Sequence, residues 1–105
     1  MRRLLDAIYD GAAALVLSRS DKGSRARIMG YALAGVDPKV MGIGPAPAIR
    51  ALMDRAGFKL SDIDLFEVNE AFSAVVLRFL QAFELDPGKV NVNGGATAMG
   101  HPLGA

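Results

Sequence analysis

The spacing of apolar residues switches back and forth between Pro47 and Asn93, and this switching restricts the chain to α/β architectures. Ile49, Leu52, Met53 and Ala56 follow the i, i+3, i+4, i+7 rule of a helix. Pro47 stands in its first turn, where the missing N–H would be unpaired anyway, and Gly57 supplies the stop. Ile63 and Leu65 then alternate with Asp62 and Asp64, and Phe66-Glu67-Val68 continues that strand pattern. A second helical stripe, Phe72, Val75, Val76, Phe79, Leu80 and Phe83, starts after Asn69 and reads as core-facing. Asp86-Pro87-Gly88 ends it, and Val90 and Val92 alternate with Asn91 and Asn93 as a further strand. Helix, strand, helix, strand in this order predicts a right-handed crossover and a parallel strand pair inside a layered α/β sheet.

The N-terminal third carries weaker patterns. Leu4, Leu5 and Ile8 fit a short helix, Asp10-Gly11 a turn, and Ala12–Leu17 a short buried strand. A polar loop over Ser18–Ser24 leads to a strand in which Ala26, Ile28, Gly30 and Ala32 alternate with Arg25, Arg27, Met29 and Tyr31. Asp37-Pro38 and the Gly/Pro-rich stretch Gly42–Pro47 read as a long loop. Pro102 suits the first turn of a helix, yet only three residues follow it.

Composition narrows the chemistry. With 105 residues, 51% of them hydrophobic, the chain can bury one core and does not read as disordered. A formal charge of +1 gives no electrostatic case for nucleic acid or an anionic membrane as partner, and no apolar run approaches the ~18 residues of a membrane span. The cysteine count is zero and the only histidine is His101, which excludes disulfides, thiolate or clustered-His metal sites and any Cys nucleophile within these residues. Arg2 and Arg3 imitate the start of a secretory leader, but Asp6 and Asp10 break the apolar run such a leader needs, so a cytoplasmic chain is the expectation.

Two polar residues stand where open α/β sheets build sites, beyond the carboxyl ends of strands. His101, flanked by glycine and proline, suits a general acid/base or a donor to a developing oxyanion, and equally a loop or cap residue without a role. Asn69 suits a helix N-cap or, if the two strands are neighbours, a partner to His101 in one crevice. Glu70 suits a first-turn acid set against the helix dipole. Gly95–Gly100 imitates a phosphate-binding loop but lacks the Lys-Ser/Thr pair, and Gly42-Ile43-Gly44 lacks the third glycine and preceding strand of a dinucleotide fingerprint. Arg19, Lys22, Arg25 and Arg27 form a mild basic cluster, read as a solvated face or a weak contact to a ligand phosphate.

Val68-Asn-Glu-Ala-Phe72 and Asn93-Gly-Gly-Ala-Thr-Ala-Met-Gly-His-Pro-Leu-Gly-Ala105 resemble two signature segments of the thiolases, the acetyl-CoA C-acyltransferases. Gly35-Val-Asp-Pro-Lys-Val-Met-Gly-Ile-Gly-Pro-Ala-Pro-Ala48 and Asp10-Gly-Ala-Ala-Ala14 are similar to thiolase segments too, in family order. The resemblance implies thiolysis of a 3-oxoacyl-CoA by CoA, or the reverse Claisen condensation, and the wording of Leu65–Phe72 leans towards fatty-acid β-oxidation. It implies that His101 sits beside the family's nucleophilic Cys and helps polarise the thioester oxygen. It further implies that Asn69 completes that oxyanion site through a water and that Phe72 lies near the substrate pocket. CoA thioesters enter as substrates, no cofactor or metal is implied, and the expected partners are CoA or acyl-CoA and thiolase chains, as a homo-oligomer or with relatives.

On the same resemblance the fold is expected to be an incomplete layered α/β thiolase-like one. Residues 1–24 would be a remnant of the end of the N-terminal half, and 25–105 a partial C-terminal domain. Both family cysteines would lie outside these residues, so the isolated chain is expected to be an inactive fragment. Two other readings stand beside it: a non-catalytic module that binds CoA or docks on another subunit, and a degenerate product without function.

Overall fold

The computed structural model describes residues 11–20 and 22–102. The helix expected around Leu4–Ile8 and the family's terminal Leu103–Ala105 lie outside the described residues. Two helices dominate, α1 (Pro45–Ala56) and α2 (Ser73–Phe83), followed by a single turn, α3 (Ala96–Met99). Short 3₁₀ turns, Pro38–Ile43, Leu60–Asp62 and Pro87–Lys89, connect them.

Each helix boundary has a local cause. α1 starts two residues before the expected Pro47, because Pro45 already supplies the fixed φ of a first turn. It stops where Gly57 turns left-handed at φ 73° and gives its N–H to the Met53 carbonyl at 2.8 Å. The loop expected at Asp37-Pro38 is a 3₁₀ turn capped by the Asp37 side chain, which accepts the Lys39 N–H at 2.9 Å. α2 begins at Ser73 with Phe72 as its cap residue, not at Asn69, so the N-cap reading of Asn69 does not hold.

The core sits between α2 and the segment 63–68. Phe66, Val68, Val76, Phe79, Phe83 and Val90 are buried together, with Ile49 of α1 against their edge. Phe79 is the largest fully buried side chain, 2% exposed. It meets Phe66 edge-on at a centroid distance of 5.8 Å and Phe83 at 5.0 Å, spacings that aromatic quadrupoles favour. Arg50 ties α1 to the end of α2: its guanidinium lies 4.7 Å over the Phe83 ring and donates to the Ala82 carbonyl at 2.9 Å. Phe72 departs from the expected core stripe, because at the cap it points off the buried face and is 52% exposed.

The expected parallel pair exists as a single bridge, Phe66 with Val90. Phe66 donates to the Lys89 carbonyl and receives the Asn91 N–H, both at 2.8 Å. Asn91 then turns left-handed at φ 49°, so the second strand leaves the ladder before Val92. Ala12–Leu17 and Arg25–Ala32, both expected to be strands, form no ladder among the described residues. The alternation expected over Arg25–Ala32 is not seen as burial: residues 25–31 are all exposed, Ile28 at 71%, and half-buried residues alternate only further on, at Ala32, Ala34 and Val36. Gly30 lies so close to α1 that a Cβ there would stand 3.1 Å from a Leu52 methyl, and Arg55 donates to the Tyr31 carbonyl at 3.1 Å. Alternation of side chains does not supply the backbone partner that a ladder needs.

Phe79→Ala is expected to lower unfolding free energy by about 3–5 kcal/mol, since it empties the centre of the aromatic cluster, with Phe79→Leu well below that. Urea unfolding followed by far-UV circular dichroism checks this; a loss under about 1 kcal/mol for the alanine variant would place the core elsewhere.

Candidate functional site

The site is built from two chain segments that cross-tie. Residues 66–70 leave the buried bridge and reach the start of α2, while 90–101 run alongside, turn at Val92-Asn93 with the Gly94 N–H on the Asn91 carbonyl at 2.8 Å, and enter α3. The Asn91 side chain takes over where the ladder ends. Its Oδ1 accepts the Val68 N–H at 2.7 Å, and its Nδ2 donates to the Val68 carbonyl at 2.9 Å. Two residues on, Glu70 Oε2 accepts the N–H of Thr97 at 3.2 Å, satisfying a first-turn donor of α3. Glu70 therefore serves α3 and not the start of α2. Its carboxylate fills the space beside Gly95, where a Cβ would collide with it.

Asn69 thus lies between two anchored neighbours. It is exposed, and no hydrogen bond among the described residues occupies its amide. With Phe72 it lines a largely apolar groove of about 480 Å³ between α1, α2 and the Pro38–Ile43 turn, walled by Met41, Pro45, Ile49, Val68 and Val75. A smaller neighbouring cavity of about 330 Å³ shares Met41, Phe72 and Val75 and reaches Lys39 and Arg78.

His101 comes after α3. Gly100 is left-handed at φ 78° and His101 at φ 46°, and the His101 N–H returns to the Ala96 carbonyl at 2.9 Å. Its side chain is half-buried, its ring makes no hydrogen bond among the described residues, and it does not line the Asn69 groove. The structure thus brings Asn69 and Phe72 onto one wall and carries His101 on the segment tied to both neighbours of Asn69. Among the described residues no group of three or more His, Cys, Asp or Glu could hold a metal ion, and no helix is long and apolar enough to cross a membrane. Arg19, Lys22, Arg25 and Arg27 carry the mild basic cluster; Arg19, Lys22, Arg25 and Arg27 are all exposed. Sequence reasoning misses Asn91, which reads only as the polar alternate beside Val90 and Val92; no local signal marks its side chain as the partner of Val68, 23 residues away.

Comparison with known proteins identifies the class. A family description, "Thiolase, C-terminal domain", matches residues 22–105. The chain belongs to the thiolase family. It is 51% identical over 102 residues to the cytosolic acetyl-CoA acetyltransferase of Mus musculus, covering 91% of this chain and 26% of that protein. It is 47% identical over 103 residues to the mitochondrial 3-ketoacyl-CoA thiolase of Mus musculus, covering 92% of this chain and 26% of that protein. The chain therefore spans about a quarter of the length of these relatives. The crystal structure of the Bacillus anthracis acetyl-CoA acetyltransferase superposes with a TM-score of 0.70 at 55% identity, over 72% of this chain and 19% of that one. Human mitochondrial 3-ketoacyl-CoA thiolase in complex with CoA gives 0.69 at 54% identity, over 72% of this chain and 19% of that one. The fold is thiolase-like.

The Glu70–Gly95 contact generates a prediction. Gly95→Ala is expected to destabilise the chain by about 1 kcal/mol, because the half-exposed Glu70 side chain must swing off the added methyl and give up its bond to Thr97. In a Glu70→Ala background the same substitution should cost little; additive effects in the double-mutant cycle, measured by urea unfolding, would show that the two residues do not touch.

Proposed function

We propose that this chain carries the oxyanion-holding part of a thiolase-type acyltransferase, acting on acyl-CoA thioesters in thiolysis of a 3-oxoacyl-CoA or in the reverse condensation. In this reading Asn69, through a water, and His101 receive the negative charge that develops on the thioester oxygen, and Phe72 lies against the substrate chain. Preorganised donors at that oxygen are each worth about 3–4 kcal/mol of barrier. A protonated imidazole would also raise the thiolate fraction of a neighbouring cysteine.

The observation that supports the reading is the cross-tied pair of segments: a free amide at Asn69, anchored at Val68 and Glu70 to the stretch that leads to His101. The extended stretches 12–17 and 25–32 fit strands of a layered α/β sheet in this reading, and the chain works in the cytoplasm together with thiolase chains. None of the 105 residues is a cysteine, so acylation needs a nucleophile from elsewhere.

A second reading, a module that binds CoA or docks on a thiolase subunit without catalysis, draws on two bare apolar segments on either side of the Ser18–Ser24 loop, in which Val16 is 98% and Leu33 88% exposed. Size-exclusion chromatography with and without a full-length thiolase tests it; co-elution with no response of Asn69 or His101 to a thioester favours the module.

Two outcomes are expected of the chain itself. Acetyl-CoA titrated into the isotopically labelled protein should shift the Asn69 side-chain amide and the His101 ring together, with one dissociation constant. A shift at neither removes the acyl-transfer reading. Acetoacetyl-CoA and CoA should give no turnover above buffer with the purified chain, and clear turnover would show that catalysis here does not require a cysteine.

A further inference from the structure

We propose that Asn91 is a positioning residue, whose side-chain amide stands in for a missing rung of the sheet and sets where Asn69 lies relative to the His101 segment. The proposal deepens the acyl-transfer reading and rests on it for its consequence at the thioester.

The register of the bridge states what is replaced. Phe66 N–H to the Lys89 carbonyl and Asn91 N–H to the Phe66 carbonyl form one parallel rung. The next rung would send the Val68 N–H to the Asn91 backbone carbonyl and bring the Asn93 N–H to the Val68 carbonyl. The chain instead turns left-handed at Asn91, whose carbonyl takes the Gly94 N–H at 2.8 Å. The side-chain amide makes both contacts itself, accepting from Val68 N–H at 2.7 Å and donating to Val68 O at 2.9 Å. Only an amide can do both from one short side chain: aspartate has no donor, serine cannot span both groups, and glutamine is a methylene too long. An asparagine is also the non-glycine residue most at ease in the left-handed region that starts the turn.

The exchange of a backbone rung for a side-chain one lets the two strands diverge without leaving buried Val68 unpaired. The freed chain then turns through Val92-Asn93 to the left-handed Gly94 and brings the Thr97 N–H onto Glu70. Asn69 is held from Val68 on one side and Glu70 on the other, by the stretch that ends in His101.

The test compares wild type, Asn91→Ala and Asn91→Asp in the labelled 105-residue chain, reading amide hydrogen exchange and the response to acetyl-CoA. In Asn91→Ala the Val68 amide should exchange about tenfold faster while Phe66, whose backbone bonds remain, stays within about twofold of wild type. Asn91→Asp, which keeps the acceptor and loses the donor, should fall between them. The acetyl-CoA concentration that half-saturates the Asn69 shift should rise about fivefold or more in the alanine variant, with the Phe79 ring signals unmoved. Unchanged Val68 exchange in both variants overturns the proposal. So does parallel loss of protection at Phe66 and Val68, which would make Asn91 a general structural residue. If Asn91→Ala does not fold, the aspartate variant decides by the same contrast. A wild-type chain that shows no acetyl-CoA response removes the acyl-transfer reading, while the Val68-to-Phe66 contrast still decides whether Asn91 holds the segment.

Discussion

The arrangement of this chain depends on a parallel contact only one residue pair wide. Phe66 and Val90 share the one bridge among the described residues, and both are buried under Phe79 of α2. A single pair of backbone hydrogen bonds contributes modestly, on the order of 1 kcal/mol each. Its force comes from company: the apolar cluster excludes water from Phe66, so breaking the bridge would leave its N–H and carbonyl unpaired in a dry place. The aromatic cluster and the bridge thus stabilise one another, and every residue of the candidate site hangs from one of the two strand ends that the bridge joins.

The site is held by polar side chains acting on backbone, not by side chains acting on each other. Asn91 meets both polar groups of Val68, and Glu70 meets the first turn of α3. This leaves the Asn69 amide and the His101 ring without partners among the described residues, which suits the charge-receiving role proposed for them. Donors already committed to protein acceptors would first have to break those bonds; free donors on an anchored backbone need no such rearrangement. The groove beside Asn69 is apolar, which raises the worth of any hydrogen bond made at its edge.

Much of this is legible along the chain, and the misses share one cause. The spacing of Ile49, Leu52 and Met53 and the stop at Gly57 mark α1, and the buried face of α2 at Val75, Val76, Phe79 and Phe83 agrees with its period. Asn69 and Glu70 read as helix-start residues because a cap is a local explanation, and the sequence offers no view of Thr97 or Asn91 arriving from more than twenty residues away. The alternation through Arg25–Ala32 reads as a strand, yet alternation carries no information about a backbone partner, and Ile28 on its apolar side is 71% exposed. Phe72 falls on the helical stripe by spacing and off it in space, since the helix starts one residue later.

What the sequence determined by itself is local and chemical: the two long helices through their hydrophobic period, the ends of α1 through proline and glycine (α2 instead stops at a left-handed Glu84, ahead of Asp86-Pro87-Gly88), the want of any thiol, and membership of the thiolase family through the words around Asn69 and His101. What the tertiary structure decided is which backbone groups find each other. It chose Asn91 to close the ladder, Glu70 to serve α3 and Phe72 to line a groove. The reason is physical: periodicity and caps act over a few residues, whereas a buried N–H or carbonyl must be satisfied by whatever the fold brings within about 3 Å, however far away along the chain.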